Sequence, residues 1–286
     1  MSKIYILGHE NPDVDSIVSG YLLEKYLSMK GMNTEFIIPD EEIDLETINI
    51  CLKYGLDAQK YQKPLSKGFN QYILVDHNDR EVNGEIIAIF DHHPSFKENK
   101  IKHYYNKRIS STTCLICQNN EDMFSDDDLK LAFVAAMVDT ASFHSTKGRK
   151  IDNEWIKKIC NQREINYDEI YQSGLMLTNL NNLNLAALHG LKKYHIDDIV
   201  MEASYIQIAD VNQNVIDNML DYLKDYRNKK KLTCFVFIVH DMVKFASKVY
   251  ILFHNNIKIK NYKTYASRGD QIIPDLLKLI KKHDIL

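Results

Sequence analysis

The chain has 286 residues, 45% apolar and 26% charged, with a net charge of −3 at pH 7. That balance suits a globular protein long enough to bury a sizeable core, and it lacks the basic field on which binding to a nucleic-acid duplex depends. Five cysteines, an odd number with no apparent framework of pairs, argue against disulfides and for a reducing, cytoplasmic setting. Residues 1–8 read as the start of a strand rather than a leader, and no apolar run approaches the ~18 residues of a membrane span.

Strand and helix signals alternate in the first half. "KIYIL" (3–7) is a short apolar run ended by Gly8, and residues 15–31 place Ile17, Val18, Tyr21, Leu22, Tyr26 and Leu27 at helical spacing before Gly31. A strand at 34–38 closes on Pro39, and a helix over 45–55 ends at Gly55. "QYILV" (71–75) and "EIIAIF" (85–90) read as two more strands, each followed at once by Asp-His. Helices are predicted over 127–138, strongly apolar, and 152–162. Short apolar strands separated by amphipathic helices predict an α/β fold, a mostly parallel sheet flanked by helices. Cys114 and Cys117 form a C-x-x-C with no second pair, and read as core packing.

From about residue 166 the pattern changes. A helical stretch covers 166–192, and 200–211, 232–241 and 244–254 are longer β-branched and aromatic strands. The last two, separated at Met242-Val243, predict an antiparallel hairpin. Helices at 213–228 and 272–283 complete a smaller α+β C-terminal domain. The expected division is 1–168 and 169–286, with the boundary region at 167–175. Lys229, Lys230 and Lys231 read as the solvated end of a helix.

Ligand-type residues cluster where the strands end. His9, Asp13 and Asp15 follow the first strand; Asp76 and His77 follow 71–75; Asp91, His92 and His93 follow 85–90; Asp139 ends the apolar helix. A parallel sheet binds ligands outside the carboxyl ends of its strands. Carboxylates converging there cannot all stay ionised without counter-charge, which divalent cations supply. Carboxylates mixed with imidazoles suit Mn²⁺ or Co²⁺, with Mg²⁺ and Zn²⁺ as competitors. Two ions about 3.5–4 Å apart would clamp both oxygens of a phosphoryl displacement and supply hydroxide at neutral pH. Helix capping would account for one of Asp13 and Asp15 but not for the whole set.

"GHENPDVDS" (8–16), "VDHNDR" (75–80), "FDHH" (90–93) and "MVDTASF" (137–143) resemble the four motifs of DHH-family phosphoesterases, in particular the manganese-dependent family II inorganic pyrophosphatases. The resemblance implies two Mn²⁺ ions, with Co²⁺ or Mg²⁺ as alternatives and an additional Mg²⁺ arriving with substrate. It places His9 and Asp13 on one ion, Asp15, His92 and Asp139 on the other or shared, and Asp76 between them. His93 would contact phosphate, His77 would lie behind the ligands, and Asp13, Asp76 and His93 would carry catalysis. It also implies a homodimer through an edge strand of the first domain. "YASRGDQIIPDL" (265–276) resembles the "SRKKQ-x-x-P" segment of the substrate-closing DHHA2 domain, matching at Ser267, Arg268, Gln271 and Pro274. Arg268 would then bind substrate, with closure hinged near 167–175.

The substrate clamp departs from that pattern. Gly269 and Asp270 stand where the family carries lysines, and "NLAA" (184–187) lacks a further one; Lys192 and Lys193 are offset from it. Each lost charge-assisted contact would cost ~1.5–3 kcal/mol of binding. His144, Arg80, Lys107, Arg108, Lys147 and Arg149 are candidate replacements or plain surface groups. The expected activity is hydrolysis of inorganic pyrophosphate to phosphate. The alternatives are an exopolyphosphatase or nucleotide phosphoesterase, and a metal-binding regulatory protein with weak or no turnover. Arg268-Gly269-Asp270 also spells a cell-adhesion tripeptide, which does not suit a cysteine-poor chain.

Overall fold

The computed structural model describes residues 3–65, 68, 70–78, 80–94, 101, 103–196, 199–210, 212–253 and 256–281. It divides into two compact units, residues 1–174 with 267–286, and residues 175–266.

In the first unit, β1 (Ile4–Leu7), α1 (Val14–Met29), β2 (Thr34–Ile37), α2 (Leu45–Lys53), β3 (Asn70–Val75), β4 (Gly84–Asp91) and β5 (His103–Asn106) follow one another along the chain. Their strands form one parallel sheet in the order β2-β1-β3-β4-β5. Residues of alternate strand positions feed two cores. Ile6, Ile73 and Val75 pack with Ile17, Val18, Leu22 and Phe133 on one face, and Leu7, Ile37, Leu74 and Ile89 pack on the other. Burial on both faces is why these strands read as unbroken apolar runs. The chain leaves β1 toward β2 and returns to place β3 on β1's other side. The gap between the ends of β1 and β3 is therefore a topological switch point.

Four helices follow: α3 (Thr112–Cys117), α4 (Asp126–Thr140), α5 (Lys150–Gln162) and α6 (Tyr167–Ser173). Cys114 and Cys117 lie on α3 and are buried in the core, as packing residues would be. The sequence did not announce β5, because its four residues alternate between exposed and half-buried and carry little apolar signal. A π-helical turn over Arg268–Ile272, and the helix that follows it, group with this unit although they were expected in the second domain.

The second unit contains α7 (Leu183–Ala187), β6 (Lys192–Ile196), β7 (Ile199–Ile208), α8 (Gln213–Lys230), β8 (Cys234–Asp241), β9 (Ala246–Phe253) and β10 (Asn256–Tyr262). Its sheet runs β10-β9-β8-β7-β6, parallel only between β7 and β8, which α8 connects. The expected hairpin is β8–β9, but its turn spans 242–245 rather than two residues, since Asp241 pairs with Ala246. The Asp241 carboxylate accepts the Val243 and Lys244 N–H groups at 3.0 and 2.9 Å. The final helix of the chain is α9 (Ile273–Lys281). Among the described residues, no helix is long and apolar enough to cross a membrane.

The continuous helical stretch expected over 166–192 is instead α6, α7 and β6. Asn179 and Asn182 accept backbone N–H groups two and three residues on, which favours turns over a continuing helix. Gly174 ends α6 where the chain passes α4: a Cβ there would lie 2.2 Å from the Met137 carbonyl oxygen and 2.5 Å from Ser142 Oγ. Backbone cannot retreat as a side chain can. Gly174→Ala is expected to cost about 1–3 kcal/mol, a loss of roughly 2–12 °C in melting temperature measured by calorimetry. An unchanged melting temperature would show that this contact relaxes freely.

Candidate metal centre

The loop after β1 turns sharply into α1. Gly8 is needed there because a Cβ would meet Ser16 Oγ at 2.2 Å, and the same hydroxyl accepts the His9 N–H at 3.1 Å. Asp13 is the N-cap of α1 and accepts the Ser16 N–H at 3.0 Å, so the capping role foreseen for one of the two aspartates falls to Asp13. Asp15 sits one residue inside the helix, buried, accepting from Thr112 N, Thr113 N and Thr113 Oγ1 at 2.7–3.1 Å. Across the switch point, Asp76 follows β3 with a left-handed backbone (φ +63°) and accepts from Thr112 Oγ1 at 3.1 Å. A left-handed aspartate costs more than a glycine would, and such strain concentrates at functional sites.

The six residues expected as metal ligands converge in two groups. His9 Nε2 lies 3.3 Å from Asp13 Oδ2 and 3.6 Å from Asp76 Oδ2. His92 Nε2 lies 3.3 Å from Asp76 Oδ1, 3.6 Å from Asp139 Oδ2 and 3.9 Å from Asp15 Oδ2. Asp76 thus offers one oxygen to each group. His93 joins on the second side, with Nδ1 at 3.7 Å from Asp76 Oδ1.

The donor chemistry fits divalent cations. His9 Nδ1 donates to the Glu10 carbonyl at 2.8 Å and His92 Nδ1 to the Ile109 carbonyl at 3.2 Å. A carbonyl only accepts, so each ring's proton is held at Nδ1 and a lone pair is left at Nε2. Both Nε2 atoms, and Asp139 Oδ2, are buried without a hydrogen-bond partner among the described residues. Lone pairs facing carboxylate oxygens repel unless something positive lies between them. Burial, and then the neighbouring carboxylates, push the Asp15 and Asp76 carboxyls well above the usual carboxylate range. A bound cation reverses that direction.

His77 stays outside both groups, donating through Nδ1 to the Val75 carbonyl at 2.8 Å. Burial pushes its imidazole down to about 3, so it is a neutral packing group behind His9. Asp91 was noticed in the sequence without a role. It is fully buried, and its Oδ1 accepts both the backbone N–H and the Nδ1–H of His93 at 3.0 Å. Its Oδ2 accepts from Asn78 Nδ2 at 2.5 Å, so the carboxylate is fixed before it orients the histidine. The three-residue string Asp91-His92-His93 was the available signal.

The candidate cations separate clearly. Arg80 is committed: Nη1 donates to the Gly8 carbonyl at 2.7 Å and lies 3.5 Å from Asp40, bracing the His9 loop. Lys107 and Arg108 are exposed, and His144 Nε2 pairs with the Tyr171 hydroxyl at 2.7 Å. Arg149 caps α5 through its backbone. Lys147 differs from all of these. Its side chain is only 11% exposed, and Nζ donates to Asp139 Oδ1 at 2.6 Å. Burial opposes its charge, but Asp139, Asp270 and Asp76 together hold its pKa well above the ordinary lysine range.

Lys147 is carried by an unusual turn. Ala141, Ser142 and Phe143 are all left-handed (φ +49°, +52° and +66°), which folds the chain back after α4. Thr146 Oγ1 then accepts the Ser267 N–H at 3.0 Å, docking the segment that bears Arg268, Gly269 and Asp270. Gly269 borders His93, and a Cβ on it would lie 3.5 Å from the ring's Cδ2.

Residues 3–140 match the model of the DHH family, N-terminal domain. This part of the chain is a DHH-family domain. Over 96% of its length the chain is 25% identical to a Streptococcus pyogenes M49 (strain NZ131) protein named "Probable manganese-dependent inorganic pyrophosphatase", covering 98% of that protein. Among solved structures, a Methanococcus jannaschii protein provisionally assigned as a family II inorganic pyrophosphatase superposes with a TM-score of 0.72. That pair is 20% identical, covering 96% of this chain and 98% of the other. A Bacteroides fragilis exopolyphosphatase-related protein gives a TM-score of 0.50 at 16% identity, covering 99% and 93% of the two chains. The parallel sheet with flanking helices and the second, mixed sheet are the fold these structures share with this chain.

Proposed function

We propose that this chain is a metal-dependent phosphohydrolase that cleaves inorganic pyrophosphate to two phosphates. The observation that carries the reading is the paired arrangement around Asp76, with a buried, unpartnered imidazole nitrogen on each side. His9, Asp13 and Asp76 would hold one ion, and Asp15, His92, Asp139 and Asp76 the other. Mn²⁺ is the expected metal, from the mixed donor set and the naming of the Streptococcus relative. When bound, two such ions supply Lewis acidity toward phosphoryl oxygens and lower the pKa of water toward neutrality.

The protein's own groups then do the following. One P–O bond forms from water while one anhydride P–O bond breaks. His93, held through Nδ1 by Asp91, turns its Nε2 edge to the phosphate and stabilises charge there; Arg268 adds a guanidinium from the docked segment. The Thr112 and Thr113 donors keep Asp76 and Asp15 from rotating away from their ions.

Gly269 favours one second reading. With no side chain beside His93, a longer phosphoanhydride such as polyphosphate would fit where a lysine would otherwise stand. Phosphate release from pyrophosphate and from tripolyphosphate, by chelator-stripped protein with Mn²⁺, Co²⁺ or Mg²⁺ restored, separates these readings. Pyrophosphate with Mn²⁺ is expected to be the faster pair. A preference for tripolyphosphate would move the assignment to polyphosphate, and metal binding without release from either would leave a metal-binding protein without hydrolase function.

A further inference from the structure

The carboxylates Asp13, Asp15, Asp76, Asp91 and Asp139 outnumber the charges that two divalent ions bring, so a loaded centre remains negative as a polyanionic substrate approaches. Beyond the guanidinium already assigned to Arg268, a further protein cation is called for to meet that substrate. Among the described residues, the Arg80 and His144 side chains are engaged elsewhere, Lys107 and Arg108 are solvated, and Arg149 caps α5 by its backbone with its side chain in no ion pair with the carboxylates of the centre. Lys147 alone of the candidates is drawn in among the carboxylates of the centre. Its hydrogen bond among the described residues goes to Asp139 Oδ1, while Asp139 Oδ2, on the other side of the same carboxylate, points toward His92.

The surroundings of Lys147 come from two distant stretches of the chain, 139–147 and 267–270. The left-handed run 141–143 returns it to Asp139, and Thr146, its neighbour, holds Ser267 and with it the Arg268–Asp270 turn. Asp270 is carried on that docked turn, and its charge acts on Lys147 without a direct ion pair.

We propose that Lys147 is a substrate-binding residue, anchored on Asp139 and balanced by Asp270, whose ammonium meets the phosphate beside His93 and sets the affinity for small phosphoanhydrides. The inference rests on the phosphohydrolase reading above. An ammonium has three N–H donors, so the bond to Asp139 leaves two for phosphate oxygens. Such a charge-assisted contact corresponds to roughly a 10- to 100-fold change in affinity.

The test is titration calorimetry of methylenediphosphonate, whose P–C–P link cannot be hydrolysed, into Mn²⁺-saturated protein. Mn²⁺ binding to the stripped protein is measured separately. Lys147→Gln keeps a donor for Asp139 and removes the charge; Lys147→Arg keeps the charge. Expected are a loss of at least about 10-fold in diphosphonate affinity for Lys147→Gln and substantial recovery in Lys147→Arg, with Mn²⁺ affinity in both no weaker than wild type. Wild-type affinity in Lys147→Gln would overturn the proposal. So would an equal loss of Mn²⁺ affinity, which would reduce Lys147 to a support for Asp139. Wild-type protein that neither binds the diphosphonate nor releases phosphate would overturn the phosphohydrolase reading along with it, whereas wild-type binding and turnover with an indifferent Lys147→Gln would overturn this inference alone.

Discussion

Asp76→Asn is expected to abolish phosphate release while making the metal-free protein more stable. Both effects follow from the same position. Asp76 offers one oxygen toward His9 and the other toward His92, so replacing one of them by an amide NH₂ removes a ligand between the two groups. A fall of at least about 10³-fold in Mn²⁺-dependent turnover is expected, comparable to removing a principal source of transition-state charge stabilisation. Without metal the balance inverts. Asp76 is then a buried carboxylate repelled by Asp13 and Asp139, and a neutral isostere relieves that cost by about 1–3 kcal/mol. The new Nδ2–H₂ can also donate toward the lone pair of His9 Nε2. Asparagine tolerates the left-handed backbone that alanine would resist, which makes it the cleaner substitution. Chemical denaturation with chelator present would measure the gain, and phosphate release with Mn²⁺ the loss. A variant that is less stable without metal, or still active with it, would contradict the assignment of Asp76 as the shared ligand.

The second large effect is in the pH dependence of stability, which should change sign with Mn²⁺. In the metal-free protein, Asp15 and Asp76 hold protons more tightly than in the unfolded chain, where carboxyls titrate near 3.8. Between that value and the raised folded values, the native state binds more protons than the unfolded one. Their contribution to stability therefore falls as pH rises above about 4. Mn²⁺ requires deprotonated carboxylates and neutral imidazoles, so its stabilisation grows over the same rise in pH. At Mn²⁺ about 1,000 times its dissociation constant the gain is roughly 4 kcal/mol. For the first unit this corresponds to roughly 8–16 °C in melting temperature. Thermal scans with chelator and with Mn²⁺, from about pH 5 to pH 8, are expected to show a gap that widens toward the alkaline end. A gap that is constant, or widest in acid, would mean that the cation binds somewhere other than these buried carboxylates.

The candidate metal centre was legible in the sequence because its ligand-type residues mostly follow strand ends, and strand ends in a parallel sheet share one edge. Apolar runs such as "QYILV" announce their strands through burial on both faces, and the Asp or His after each run must then sit at that edge. Elements with weaker patterns were not legible. The strands β5, β6 and β10 carry alternating or polar residues at sheet edges, and their pairing is decided by a neighbouring strand's backbone rather than by their own periodicity. The helix expected over 166–192 failed because asparagine side chains and the close passage of Gly174 past α4 compete with it, and the second of these is a contact between residues far apart in sequence.

The sequence by itself determined the parallel sheet, the gathering of nine ligand-type residues at its edge and the kind of ion they suit, since each follows from local pattern and from side-chain chemistry; the choice of six among them came from the resemblance to the DHH family. Only the tertiary structure decided how charge is balanced around them. It showed that Asp91 orients His93, that Arg80 is used in bracing the His9 loop, that Lys147 pairs with Asp139, and that Thr146 docks Ser267, 121 positions on, with the turn that carries Asp270. Electrostatic partners are chosen by distance in space, and a chain that folds back through three left-handed residues sets that distance without marking it in the local sequence.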